Sequence, residues 1–325
     1  MIEQSITEWE DGWRVRLPLP FQLRWIYAYI LRDEHGYTII DCGLNYEEAW
    51  ETWRAVFQHL NIQMKHIDRI VLTHYHPDHY GLTGRLQQET GAQVWLSPMT
   101  EEQARIVWGD AQEPENVAAF YERHGLPKTT SLSLITHFRR FTHYVSPHPV
   151  KPKRLAAGET YVLGDRTYEV WHTPGHAEDH HSFYDPDRQW LIGGDVLLQK
   201  ITPNVSLHPH GDPNPLLTYL TTLQKLSERP IRKVLPAHGP LFTDVQQRIN
   251  EIVVHHENRL QLIERIVQRS QTAYDVCLHL FGDRLSVHNL RFAIAETLAH
   301  LEYLRIEGRL SLKDKAGICY YQAES

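Results

Sequence analysis

Thr73-His74-Tyr75-His76-Pro77-Asp78-His79-Tyr80-Gly81 decides the fold. It sets three imidazoles and a carboxylate within six positions, the nitrogen and oxygen donors that a zinc or iron ion prefers. The apolar run at residues 69–72 predicts a strand that ends on this segment, and residues 93–96 predict the next. The histidines therefore occupy a strand-to-helix loop, where α/β proteins place function. Alternate residues of such a loop face one side, so His74 and His76 are set to grip one ion while Asp78 and His79 turn to another. The plain alternative is a loop of solvated histidines. With 22 histidines in 325 residues, chance gives this pattern in on the order of one such chain in two hundred.

Four donors on one loop cannot enclose two ions, and the missing donors follow downstream, each after a predicted strand. His176 closes Trp171-His172-Thr173-Pro174-Gly175-His176, Asp195 closes Leu191-Ile192-Gly193-Gly194-Asp195, and His238 lies in Leu235-Pro236-Ala237-His238-Gly239. A carboxylate such as Asp195 can bridge two cations with its two oxygens, and the glycines beside these residues permit the tight backbone that brings loops together.

The motifs THYHPDHYG, TPGH, GGD and PAHG, in that order and after an early Asp41-Cys42-Gly43 turn, resemble the metallo-β-lactamase superfamily. The order of insertion, PAHG, long helix and RFAIAETLAHLEYLRIEGRL resembles its branch of β-lactamase-like hydrolases with a C-terminal winged helix. The resemblance implies an α/β fold, an αββα sandwich with a helical insertion and a small winged-helix domain. It implies His74, His76 and His176 on a first zinc, Asp78, His79 and His238 on a second, and Asp195 bridging, with iron or manganese as alternative metals. A metal-bridged hydroxide would then cleave an ester, thioester or lactone, with Asp78 holding that hydroxide or passing a proton to the leaving group. Asp41 is the candidate that fixes a ligand imidazole from behind, against the equal alternative of a turn-stabilising aspartate. A metal-dependent phosphodiesterase or ribonuclease and a mononuclear iron persulfide dioxygenase are the competing activities.

Around these motifs the chain divides into a catalytic domain at 1–245 with an insertion at about 99–155, a bridging helix at 246–270 and a winged-helix-like domain at 271–325. Strands are expected at residues 25–31, 37–41, 160–163, 167–171, 181–184, 189–192 and 233–235, and helices at 46–60 and 215–226. In the tail, helices at 272–280 and 290–304 precede a hairpin, and Gly308 ends the second helix as a C-cap glycine does. Cys42, Cys277 and Cys319 are odd in number and widely spaced, which suits reduced core residues.

Charge narrows the partners. The 33 Lys and Arg against 40 Asp and Glu give a net charge of −7, which argues against a surface that tracks nucleic acid throughout. The tail carries one more acid than base, so its winged helix is expected to pack, dimerise or close a pocket rather than bind DNA. Between Glu122 and Glu159 there is no acid, whereas Arg123, Lys128, Arg139, Arg140, Lys151, Lys153 and Arg154 are basic. This stretch is either a solvated face or a patch that recognises an anionic substrate through Arg139 and Arg140. The remaining histidines read as bystanders: His172, His180 and His181 on or beside strands, His143, His148, His208 and His210 in loops, His255 and His256 on the polar face of the long helix. A small-molecule substrate, no membrane partner, a cytoplasmic location and an oligomeric state left open, homo-oligomer included, complete the expectation.

Overall fold

The computed structural model describes residues 2–34, 36–109 and 111–324. Two sheets run in chain order. In the first, β1 (Ile6–Trp9), β2 (Gly12–Pro18), β3 (Trp25–Arg32) and β4 (Tyr37–Ile40) are antiparallel, and β5 (Ile67–Val71), β6 (Gln93–Leu96) and β7 (Lys153–Arg154) continue in parallel. In the second, β8 (Thr160–Leu163), β9 (Arg166–His172), β10 (His181–Asp185) and β11 (Trp190–Gly194) are antiparallel and β12 (Lys233–Pro236) pairs in parallel with β11.

The central strands β3, β4 and β5 of the first sheet are buried on both faces. Along β3, Ile26, Ala28 and Ile30 join one apolar cluster while Tyr29 and Leu31 join another, as the period of two requires. Ile39 and Ile70 lie opposite each other in the β4–β5 register and face the same way; the next pair, Ile40 and Val71, faces the other sheet. The cluster between the sheets adds Tyr168, Val170, Phe183, Ile192 and Leu235. Burying each such side chain is worth about 1.5–3 kcal/mol.

Helices cover both outer faces. Helix α1 (Glu47–His59) buries Trp50, Trp53, Val56 and Phe57 against the first sheet. Short α2 (Pro77–Tyr80) and α3 (Thr83–Thr90) follow the histidine loop, and α4 (Pro98–Ala104), α5 (Glu113–Arg123) and α6 (Lys128–Phe141) make up the helical insertion. Helix α7 (Pro215–Ser227) packs on the second sheet with Leu216, Tyr219 and Leu223, and α8 (Val245–Ile266) lies on it. The layers are therefore helix, sheet, sheet, helix.

The C-terminal segment comprises α9 (Ala273–Phe281), α10 (Val287–Ile306) and an antiparallel hairpin of β13 (Leu310–Lys315) and β14 (Ile318–Ala323). Thr272 and Asp275 form a capping box at the start of α9. Ala293, Ile294, Leu298, Leu301 and Leu304 of α10 share one apolar cluster with Leu216, Leu223, Ile249 and Ile252 of α7 and α8.

Three differences from the sequence expectation stand out. The strands β1 and β2 fall before residue 23, in a stretch where the sequence pattern marks no element. The strand β7 returns to the first sheet within the expected insertion limits. His256 is not on a polar face: it is buried at the contact of α8 with α10, where its Nδ1 lies 3.0 Å from His300 Nε2. Burial pushes His256 down to about 2 and His300 to about 4, so the pair is neutral. All three cysteines are free and buried.

Candidate metal centre

The histidine loop begins two residues after β5, Asp195 directly after β11 and His238 two residues after β12. Backbone hydrogen bonds lock these ends together: His181 N–H donates to Thr73 O (2.8 Å), Ala237 N–H to Gly194 O (2.8 Å) and Tyr27 N–H to Ala237 O (2.7 Å). His176 reaches the same place from the loop between β9 and β10. Gly175 precedes it at φ +129°, and a Cβ there would stand 2.4 Å from Tyr219 Cα of α7, so only glycine lets the loop pass under that helix.

Seven side chains converge. His74 Nε2 and His176 Nε2 each lie 2.9 Å from His76 Nδ1. In a second group His238 Nε2 is 3.3 Å from Asp78 Oδ2, with His79 completing the triad. Asp195 Oδ2 stands between the groups, 3.4 Å from His176 Nε2 and 3.5 Å from both His79 Nε2 and His238 Nε2. Each triad keeps its donor atoms within 4.8 Å of one another.

The outer ring nitrogens are held as well. His79 Nδ1 lies 2.7 Å from Asp41 Oδ2, His176 Nδ1 2.8 Å from Asn204 O and His238 Nδ1 2.8 Å from Trp25 O. His74 Nδ1 lies 2.9 Å from Thr73 Oγ1, whose hydroxyl is 2.9 Å from Asp41 Oδ2. Such contacts fix tautomer and ring orientation so that the inner nitrogen carries the lone pair.

Electrostatics points the same way. Burial first, then neighbouring histidines, pushes His74 and His180 well below the ordinary imidazole range; burial and His176 do the same to His76, and burial lowers His176. Burial opposes charge on His79 and His238 too, but Asp41, Asp195 and Asp78 hold His79 up, and Asp195 and Asp78 hold His238 up. Asp78 and Asp195, despite burial, stay below the usual carboxylate range because His79 and His238 face them. His79 Nε2 and Asp195 Oδ1 are buried without a hydrogen-bond partner, a cost that a bound cation would offset. The donor set and its orphaned atoms fit divalent metal.

Arg139 and Arg140 are exposed on α6, and Arg139 pairs with Glu115. Neither lines the cavity of about 260 Å³ that opens onto His76, Asp78, His176, Asp195 and His238. Arg291 of α10 lines it instead, a residue that sequence reasoning passes over. Two further residues matter more than their sequence context suggests. Thr73, the first residue of the motif, connects Asp41 to His74. His180, expected to be a bystander, is fully buried and accepts a hydrogen bond from Asp195 N–H (3.0 Å). Its spacing of four after His176 is the available signal. His172 stays at the surface, hydrogen-bonded to Glu178 O.

Residues 26–238 match the family model of the metallo-beta-lactamase superfamily, and residues 260–324 that of the metallo-beta-lactamase-like C-terminal domain. The chain is 26% identical to a probable metallo-hydrolase of Bacillus subtilis, YqjP, over 96% of this chain and 98% of that one. It is 25% identical to the hydroxyacylglutathione hydrolase GloC of Haemophilus influenzae, over 68% of this chain and 88% of that one. A crystal structure of a metallo-beta-lactamase family protein from Thermus thermophilus superposes with a TM-score of 0.86 at 30% identity, covering 99% of each chain.

Proposed function

From the premise that the chain belongs to the metallo-beta-lactamase superfamily, we propose that it is a hydrolase with a pair of metal ions, zinc by preference, that cleaves acyl thioesters and related esters or lactones. The observation that carries this reading is the position of Asp195 Oδ2, within 3.5 Å of donor atoms from both triads. His74, His76 and His176 would hold one ion and Asp78, His79 and His238 the other, with Asp195 shared. Imidazole and carboxylate without thiolate suit zinc, iron and manganese alike. When bound, the ions supply Lewis acidity and a water acidic enough to lose its proton near neutral pH.

The chain's own residues do the rest. Asp195 is nearly sealed from solvent while the Asp78 side chain is 23% exposed and faces the cavity. Asp78 is therefore the carboxylate that meets the reactants: held ionised by His79 and His238, it accepts a hydrogen bond from the attacking water and orients it toward the carbonyl. Leu23, Ile201 and Phe292 give the cavity an apolar wall, suited to an acyl group rather than to the repeated phosphates of nucleic acid. Similarity to a hydroxyacylglutathione hydrolase supports the thioester among the carbonyl substrates.

The test is hydrolysis of a panel of acyl thioesters, p-nitrophenyl acetate, a lactone and bis-p-nitrophenyl phosphate by the purified protein and by Asp195→Ala. Thioester turnover that falls at least about a hundredfold in the variant is the expected result. Undiminished turnover in the variant, or cleavage of the phosphodiester alone, would overturn the proposal.

A further inference from the structure

Arg291 enters the cavity from the C-terminal segment, far along the chain from every donor of the candidate centre. It is the one Lys or Arg among the described residues that line that space. Its Nε is buried without a hydrogen-bond partner, and among the described residues no carboxylate forms an ion pair with it. Its guanidinium is packed among aromatic rings, with Cζ 4.0 Å from the ring centre of Phe292, 4.6 Å from Phe141 and 5.8 Å from Phe138. Those rings favour the cation, yet none of them accepts the directed N–H bonds that a guanidinium offers.

A buried Nε–H without an acceptor is costly, so packing alone does not account for an arginine here; leucine or methionine would fill the space without that cost. Burial lowers Arg291 only to about 10, with Asp78 among the groups that work against the shift. It stays charged at neutral pH. The neighbouring His208 is pushed down to about 4 by burial and by Arg291 itself, and so adds no charge. The cavity thus carries one unpaired permanent cation beside an apolar mouth, where Leu23, Phe292 and Ile201 are 41%, 37% and 44% exposed.

We propose that Arg291 binds a carboxylate at the end of the substrate remote from the carbonyl under attack, so that the C-terminal segment selects the substrate. One guanidinium matches the charge of a carboxylate and offers it two parallel N–H bonds; a doubly charged phosphate would leave a charge uncompensated. The inference deepens the hydrolase reading and rests on it for the identity of the bound molecule as substrate.

The test is calorimetric titration of the metal-loaded full-length protein with succinate, glutarate and adipate, each against hexanoate. One carboxylate of either kind of ligand is free to meet the metal centre, and only the dicarboxylates have a second for Arg291. The native protein should bind the best-fitting dicarboxylate at least about tenfold tighter than hexanoate. Arg291→Gln should bring that ratio to within about twofold and Arg291→Lys should recover part of it. A native protein with no preference at any length, or Arg291→Gln with the preference intact, would overturn the proposal; the first of these needs no variant to fold. An Arg291-dependent preference without thioester hydrolysis would leave the carboxylate site standing and remove the hydrolase reading. Hydrolysis without the preference would do the reverse.

Discussion

Asp41 holds two of the converging histidines, one directly through His79 Nδ1 and one through the Thr73 hydroxyl that stands against His74 Nδ1. Its backbone is in the left-handed region, at φ +59°, where aspartate is among the few residues other than glycine that settle. Replacing it by asparagine keeps the size and removes the charge that orients both rings. Asp41→Asn should weaken metal affinity about 10–100-fold, measured by competition with a chelating dye; equal affinity would show that the turn alone needs Asp41. The sequence marks Asp41 through the Asp-Cys-Gly turn, and all seven inner donors through strand-end motifs, because spacing along one loop is a local property. Arg291 is invisible by the same standard. Nothing in 290–304 says which face of that helix meets a cavity, since the contact depends on how α10 lies against α6 and α7. Arg139 shows the converse: a stretch without acids looks unpaired in sequence, whereas in space Glu115 of α5 pairs with it.

At the level of elements, every candidate donor except His176 lies on the segment that directly follows a strand paired in parallel with its neighbour, Asp78 and His79 on the short helix α2. His176 depends on a loop squeezed by a helix. Gly175→Ala would place a methyl group 2.4 Å from Tyr219 Cα and Cβ at a φ that side chains rarely adopt. The variant should lose about 1–3 kcal/mol of stability and retain less metal, read from thermal unfolding with and without added zinc. Unfolding at the native temperature together with full metal retention would contradict the described fit of loop and helix. Central strands are legible because burial on both faces makes them continuous apolar runs. The strand β2 is not, since Arg14 and Arg16 interrupt its pattern; in space each guanidinium covers an aromatic ring, at 3.4 Å over Tyr27 and 4.5 Å over Trp25.

The whole molecule reads as two sheets whose strand ends meet, with the C-terminal segment built into the same core as α7 and α8 and reaching the cavity through Arg291 and Phe292. Closing a pocket, packing and dimerising are the roles expected of that segment, alternatives that local charge cannot separate because the answer lies in tertiary contact. Among the described residues no helix is long and apolar enough to cross a membrane. Metal content tests whether folding unites donors spread from 74 to 238 into a centre for two ions. Protein equilibrated with zinc and freed of excess should be analysed by mass spectrometry of the elements, beside His238→Ala, whose lost imidazole belongs to only one triad. The native chain should hold about two ions and the variant about one; a native chain that holds one or none would contradict the account.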